Sequence, residues 1–382
     1  MIGPLSLRLR RLAFPCLSAF ISLLFGCSED PSSVGNTLFP KNIRLDSLTV
    51  FSDSTATYRF RIPGNSTTLL LGRYQNYDAK LLLDFGLPSL PSGARMTGAK
   101  LKLIPTYWYK DSVGLLQFEV HKIQRSWSSS TTTFDSLTTD FYSLNAYNTV
   151  TRVMSPRDTL VDTLSVGLIQ EWIDSGRALG MILVPTPSST VVYGFISYVD
   201  LFTDIRPQLV ISYMLSDTSG TDSLVYLASQ DVFVADGPVP ASSTQSFIVQ
   251  AAIADRGFIH FDVGSIPQSA TIAKADLEFV RDPLSSVRNE LSYDSVFVQF
   301  VTKSGPPPAG SFSVMATPGQ EDSSVFAGDM RTIVQQWVTG APNYGVSIRP
   351  FGEFVSFDRF AFFGSGNTQN RPKLKIIYTY VP

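Results

Sequence analysis

The chain has 382 residues, a formal net charge of −2, 44% hydrophobic residues and only 16% charged residues. Such a composition excludes a disordered chain, and the slightly acidic balance lacks the basic footprint that nucleic-acid binding requires. The length accommodates two or three domains, and abundant Ser, Thr, Val, Tyr and Phe at low charge point to β-rich structure. The two cysteines, Cys16 and Cys27, both fall at the N-terminal end. The body therefore has no disulfide, thiolate nucleophile or thiolate metal site to draw on, and its stability must come from buried apolar surface.

Residues 1–26 read as a signal peptide. Arg8, Arg10 and Arg11 form a positive start, and Leu12 to Phe25 is an apolar run too short for an ordinary membrane span. The run ends in Leu24-Phe25-Gly26-Cys27. This resembles the lipobox of bacterial lipoproteins, which implies lipidation of Cys27 and attachment to a membrane through that lipid. Ser28 after the cysteine, by resemblance to the sorting rule, implies the outer membrane, on its periplasmic or its outward side. Residues 27–42 are rich in Ser, Pro, Gly and Asn and read as a tether.

A first domain is expected over residues 43–215. Ile43–Val50, Thr57–Ile62 and Thr68–Gly72 read as short strands, with a turn signal at Pro63-Gly64-Asn65. Lys80–Leu103 then reads as strand, proline-containing turn, strand. The same stretch recurs without a gap 176 residues later, at Arg256–Phe279, pairing Phe85 with Phe261, Pro91 with Pro267, Ala99 with Ala275 and Leu101 with Leu277. Leu115–Ile123 alternates as a further strand.

Thr163–Gly176 breaks the alternation, with Leu164, Leu168, Ile169, Trp172 and Ile173 at helical spacing. Its counterpart carries Met330, Ile333, Val334, Trp337 and Val338, with Asp329 as the candidate N-cap and Gly340 as the stop. Trp172 and Trp337 are expected in the core, on the apolar side of each helix. The offset is here 165, so the first copy carries about eleven extra residues between Ile104 and Ser165. Each copy ends alike, Arg206-Pro207-Gln208-Leu209 matching Arg371-Pro372-Lys373-Leu374. A polar linker is expected at 216–223 and a second domain at 224–382. The expected fold is all-β: two tandem jelly-roll-like β-sandwich domains, each with one short helix.

The order of these motifs resembles the DNRLRE-type domains of bacterial and archaeal surface proteins. The second copy matches better, through Asn343-Tyr344-Gly345, Arg256 and Asp262; the first departs at Arg177-Ala178-Leu179-Gly180. The resemblance implies a jelly roll akin to carbohydrate-binding modules, and hence a polysaccharide as ligand.

Chemistry is sparse. His121 and His260 sit inside alternating strands and have no counterpart in the other copy. No nucleophile elbow, zinc motif or phosphate loop is present, so no enzyme is expected. Tyr107, Trp108 and Tyr109 stand at a strand end outside the repeat, and three consecutive aromatics cannot all face one core. An exposed ring there would stack on a sugar, so these three are the candidate ligand-binding residues. Asp200, Asp204, Asp217, Asp222, Asp282 and Asp294 lie near turns and admit a structural calcium ion, without the spacing of a calcium loop. The reading is a non-catalytic, lipid-anchored envelope protein that binds polysaccharide. One alternative is a structural or protein-binding lipoprotein with an envelope protein as partner. The other is a polysaccharide-active enzyme with a carboxylate pair, which only tertiary geometry can reveal.

Overall fold

The structure, a computed structural model, describes residues 42–199, 205–215, 220–241, 243–289, 293–305 and 309–382. The signal peptide, Cys27 and all of the tether but Asn42 lie outside the described residues, as do Asp200, Asp204 and Asp217. Among the described residues, no helix is long and apolar enough to cross a membrane.

The first repeat contributes β1 (Arg44–Phe51), β2 (Ser54–Arg59), β3 (Thr68–Tyr74), β4 (Tyr77–Asp84), β5 (Ala94–Leu103), β6 (Pro105–Tyr109), β7 (Gly114–Lys122), β8 (Asn148–Met154) and β9 (Leu160–Leu164). Helix α1 (Val166–Ser175), β10 (Met181–Pro185), β11 (Val192–Ile196) and β12 (Gln208–Leu215) complete it. The second repeat opens with β13 (Thr221–Leu227), β14 (Gln230–Asp236), β15 (Ser246–Gln250), β16 (Asp255–His260), β17 (Thr271–Val280), β18 (Val296–Lys303), β19 (Ala309–Pro318) and β20 (Val325–Asp329). Helix α2 (Arg331–Val338), β21 (Val346–Pro350), β22 (Arg359–Phe363) and β23 (Lys373–Tyr380) follow. Every strand pairing between them is antiparallel.

The fold is all-β, two sandwiches with one short helix each. In the first, β13-β12-β5-β9 faces a sheet in which β4 is flanked by β14, β3 and β10, with β7 and β8 beyond β10. In the second, β1-β23-β17-β20 faces the matching sheet of β2, β16, β21, β18 and β19. Alternating inward residues make each core, leucine-rich around Leu71, Leu83, Leu101 and Leu183 in the first, phenylalanine-rich in the second. There Phe247, Phe279, Phe326 and Phe362 pack ring on ring, with Phe279 and Phe362 edge-to-face at 4.8 Å. Trp172 and Trp337 anchor the two helices in these cores.

The local motifs hold in both copies. The turn is closed by Ala94 N donating to Pro91 O at 3.0 Å and by Ala270 N donating to Pro267 O at 2.9 Å. Gly180 and Gly345 both adopt positive φ, and a Cβ there would stand 2.2 Å from Leu83 O and 2.5 Å from Ile259 O, respectively. Only glycine lets the chain pass so close to the neighbouring strand. Asp329 acts one place earlier than a helix cap: Met330 is the N-cap, and Asp329 Oδ1 accepts from Arg331 N at 2.8 Å.

Strand pairing crosses the expected boundary between domains. Strands β1 and β2, expected in the first domain, pair with β23 and β16 of the second repeat. Strands β13 and β14 pair with β12 and β4 of the first. Each repeat thus lays its leading pair of strands on the other. Strand β13 starts at Thr221, inside the expected linker. The physical reason is that alternation specifies which face of a strand is buried, while either sandwich offers the same acceptor edge.

Candidate functional site

The two sandwiches treat one equivalent surface in opposite ways. That surface is the outward face of the sheet containing β4 in the first sandwich and β16 in the second. In the first, β14 offers Val232 and Val234, β4 offers Lys80 and Leu82, β10 offers Ile182 and Val184, and β7 offers Glu119 and His121. Strand pairing places Ala56, Tyr58, Arg256, Phe258, Ser347, Arg349, Phe297 and Gln299 at the corresponding points of the second.

The aliphatic face of the first sandwich is covered by its own chain. The 25 residues 123–147 between β7 and β8 fold back over it. Phe141, Trp127, Phe134, Leu137 and Tyr142 pack there on Leu82, Ile182, Val232 and Val234. Polar contacts pin this cap. Trp127 Nε1 donates to Leu179 O at 2.8 Å, Gln124 N donates to Phe141 O at 2.9 Å, and Arg61 pairs with Asp135 at 3.1 Å. Lys80 lies over the Phe134 ring at 5.0 Å, and burial lowers its pKa. His121 is held beneath the cap, with Nδ1 2.8 Å from Ser143 O and its ring edge-on to Tyr142. It is a packing residue.

The second sandwich joins β18 to β19 with only the five residues 304–308, and among the described residues its equivalent face is covered only in part, by the connection 351–358 between β21 and β22. Aromatic rings and guanidinium groups line it instead. Tyr58 meets Phe258 edge-to-face at 6.1 Å. Arg256 lies over Phe60 at 4.3 Å, and Arg349 over Phe297 at 4.5 Å. Phe297 in turn stacks on Phe351 at 5.1 Å, which meets Tyr293 at 4.9 Å. Between the arginines sits Glu353, its side chain fully buried. It accepts a bidentate pair of bonds from Arg256 at 2.7 and 2.9 Å, while Arg349 stands 3.8 Å away. Burial lowers the pKa of Arg349; Glu353 opposes that shift and Arg256 adds to it.

Beside Phe258 the surface sinks into a depression of about 400 Å³ lined by Ser54, Tyr58, Phe258, His260, Ser304, Gly305, Asn343 and Tyr344. His260 Nδ1 lies 2.7 Å from an Asp53 carboxylate oxygen, so the first repeat's β1–β2 turn braces the rim. Asn343 is engaged by the backbone, donating to Phe261 O at 2.7 Å and accepting from Gly345 N at 3.1 Å. Three aromatic rings beside hydroxyl, imidazole and amide groups make a surface suited to stacking and hydrogen bonding. The carboxylates placed here, Asp53 and Glu353, are each committed to a base.

The residues singled out in the sequence stand elsewhere. Tyr107, Trp108 and Tyr109 lie in β6, which pairs with β11; the second repeat's equivalent is a looser segment joined to β22 by two isolated bridges, Arg281 to Phe362 and Val287 to Arg359. Tyr109 is 1% exposed, edge-on to Tyr74 at 5.2 Å and 5.4 Å from Phe357. Burial raises its pKa. Tyr107 Oη accepts from Phe357 N at 3.1 Å, the Trp108 ring packs against the first core, and Asn289 Nδ2 donates to Trp108 O. The run is a seam between the sandwiches, built with Ala252, Ile253 and Phe357 of the second repeat, and forms no open platform. Three consecutive aromatics need not face one core because strand alternation sends Tyr107 and Tyr109 to the seam and Trp108 to the first core.

The turn aspartates are also occupied. Asp222 accepts from Tyr213 Oη at 3.1 Å, Asp282 caps Leu284 N at 3.0 Å, and Asp294 pairs with Arg281 and Arg288 at 2.9 and 3.1 Å. Among the described residues, no three His, Cys, Asp or Glu side chains converge as a metal site would need. The open face was missed because its residues lie on four strands far apart in sequence. A signal existed in the offset alignment: outward positions Lys80 and Leu82 become Arg256 and Phe258, and Val184 becomes Arg349.

No protein-family model matches the chain, and no curated protein matches it significantly. Among solved structures, a D431N mutant of the VP2 protein of infectious bursal disease virus, in derived T=1 particles, aligns over 90% of this chain and 75% of that chain at 12% identity. The TM-score of that alignment is 0.11. The infectious bursal disease virus Gt strain structure aligns over 90% of this chain and 76% of that chain at 9% identity, with a TM-score of 0.09. Overlaps this slight carry no argument about fold or function.

Proposed function

We propose that this chain is a non-catalytic, lipid-anchored protein of the cell envelope that binds polysaccharide on the open face of its second sandwich. One observation carries the reading: the first sandwich shields this face with 25 residues of its own chain, while the second leaves part of it open and lines that part with the half-buried rings of Tyr58, Phe258 and Tyr344. Half-buried rings on the open part of a sheet whose sister is fully capped are suited to contact with something outside the chain. The lipobox-like Leu24–Cys27 supports the anchor, and the resemblance to DNRLRE-type domains supports a sugar over other ligands.

The test is retention on a panel of insoluble and soluble polysaccharides. Wild type should bind at least one, and Tyr58→Ala with Phe258→Ala should weaken that binding about tenfold, each ring stack being worth ~0.5–1.5 kcal/mol. Absence of binding across the panel would sink the proposal.

A second reading has one specific observation behind it. Tyr293 is 61% exposed, Met315 50% and Phe351 39%, and these extend the ring-lined strip toward an apolar surface. An envelope protein would dock there, and substitutions at Tyr293 and Phe351 would then matter more than those at Tyr58 and Phe258.

A further inference from the structure

We infer that residues 44–59 form an exchangeable arm, and that the partner it fits, beyond its own chain, is a second copy of this chain. The inference stands apart from the glycan reading.

The arm's principal contacts lie on the second repeat. Strand β1 pairs with β23 over eight residues and β2 with β16 over six, without a register shift. The polar contacts follow. Arg59 grips Asp255 at 2.8 and 2.9 Å, Thr57 Oγ1 accepts from Ile248 N at 2.7 Å, and Arg371 Nε donates to Ser52 O at 2.6 Å. What ties the arm to its own repeat is the connection 60–67, which contains no strand and is bridged to the first sandwich through Gly64 and Phe233. Arg61 adds an ion pair to Asp135 of the first repeat, while Arg59 and Arg61 both pair with Asp236 of β14, a strand of the second repeat.

The molecule performs the same operation once more within itself. Strands β13 and β14 sit on the first sandwich as β1 and β2 sit on the second. Tyr213 Oη donates to Asp222 at 3.1 Å where Tyr378 Oη donates to Asp46 at 3.4 Å. Ala228 N donates to Pro207 O at 2.9 Å where Ser52 N donates to Pro372 O at 2.9 Å. An acceptor edge of this kind recognises a pattern of backbone and alternating side chains, whichever chain supplies it. Two molecules that trade arms keep the contacts with the second repeat, form a closed two-fold pair and differ from the single molecule only at 60–67. The tethered arm has an effective concentration on the millimolar scale, so trading becomes populated when chains are crowded.

The test uses two full-length chains with different tags, one carrying Leu45→Cys and the other Thr379→Cys, positions that face each other across the β1–β23 ladder. The chains are co-expressed, equilibrated at several concentrations and oxidised, and the products are mapped by peptide mass spectrometry to separate them from bonds through Cys16 or Cys27. The expected product is a 45–379 disulfide joining the two tags, its yield falling about tenfold on tenfold dilution before oxidation. Deletion of Gly64 and Asn65 should raise the yield by straining the connection. A single chain carrying both substitutions should close its own 45–379 bond. Closure in that chain with no mixed product, even after the deletion, would overturn the inference; so would failure of the single chain to close, because the ladder register would then be wrong.

Discussion

The same sheet face is fully capped in one sandwich and only partly covered in the other, and the difference lies in what each must do with its outward side chains. Val232, Val234, Leu82 and Ile182 would expose a continuous aliphatic patch, so the first sandwich buries them under Phe141 and its neighbours. The second has Tyr58, Phe258 and Arg349 where the first has Val234, Leu82 and Val184, and keeps a cation, Arg256, at the place of Lys80; the tyrosine and arginine tips tolerate water. Removal of a cap and replacement of what lay beneath it are coupled changes. The connection over this face is twenty residues longer in the first repeat. The net surplus legible in the sequence is smaller because segments near 281–295 and 309–330 are longer in the second.

The comparison can be broken most severely by giving the first sandwich the second's short connection. Replacing 124–147 with a five-residue link should abolish soluble folding of the first sandwich, read by limited proteolysis and recovery. Next come single truncations. Phe141→Ala removes a buried cap ring and should cost about 3–5 kcal/mol in denaturant unfolding, while Phe297→Ala on the partly covered face should cost far less. Glu353→Gln leaves Arg256 without its buried counter-charge and should cost about 3–5 kcal/mol, with Arg256→Gln plus Glu353→Gln recovering part of the loss.

A pH series separates the sandwiches further. Asp231 of β14 is 1% exposed and accepts bonds from Ser197 Oγ and Tyr198 N, both at 2.6 Å; its counterpart in the second sandwich is Thr55. Burial pushes the Asp231 carboxyl up to about 7, against the opposing pull of those bonds and of Arg206. The folded form thus binds the proton more tightly than the unfolded form does. The Asp231 contribution to stability is greatest below the unfolded carboxylate range, falls as pH rises from about 4 toward 7, and levels off above. The loss should be on the order of a few kcal/mol in the first sandwich and should vanish in Asp231→Asn. The smallest expected effect is on the open part of the second face: Tyr58→Ala should change stability by roughly 1 kcal/mol or less while weakening ligand retention.

Much of the fold was legible because it is written in short-range pattern. The Phe85–Pro91 and Phe261–Pro267 turns, the Trp172 and Trp337 helices and the Pro207 and Pro372 strand starts each depend on a few neighbouring residues. The destination of β1 was not legible. Leu48 and Val50 alternate correctly for an inward face, and nothing in eight residues distinguishes β23 from β12 as neighbour. The candidate site failed for a related reason. Tyr107-Trp108-Tyr109 announced surplus aromatic surface, but its partners Tyr74, Phe357 and Asn289 are up to 250 residues away in sequence. The ring-lined face was hidden because no single stretch of sequence contains it.

The exchange of leading strands also bears on how such a chain changes over generations. A duplicated unit is ordinarily dispensable, since either copy can be lost and the other left intact. Here deletion of one repeat strips its sister of two strands, and the survivor must seat its own leading pair on an edge to which that pair's side chains are not fitted, so the duplication is ratcheted in place. Retention of both copies then costs selection nothing further. One outer surface is free to become inert scaffold while the other is reshaped, and the divergence between a capped sandwich and a partly open one is what such a ratchet permits.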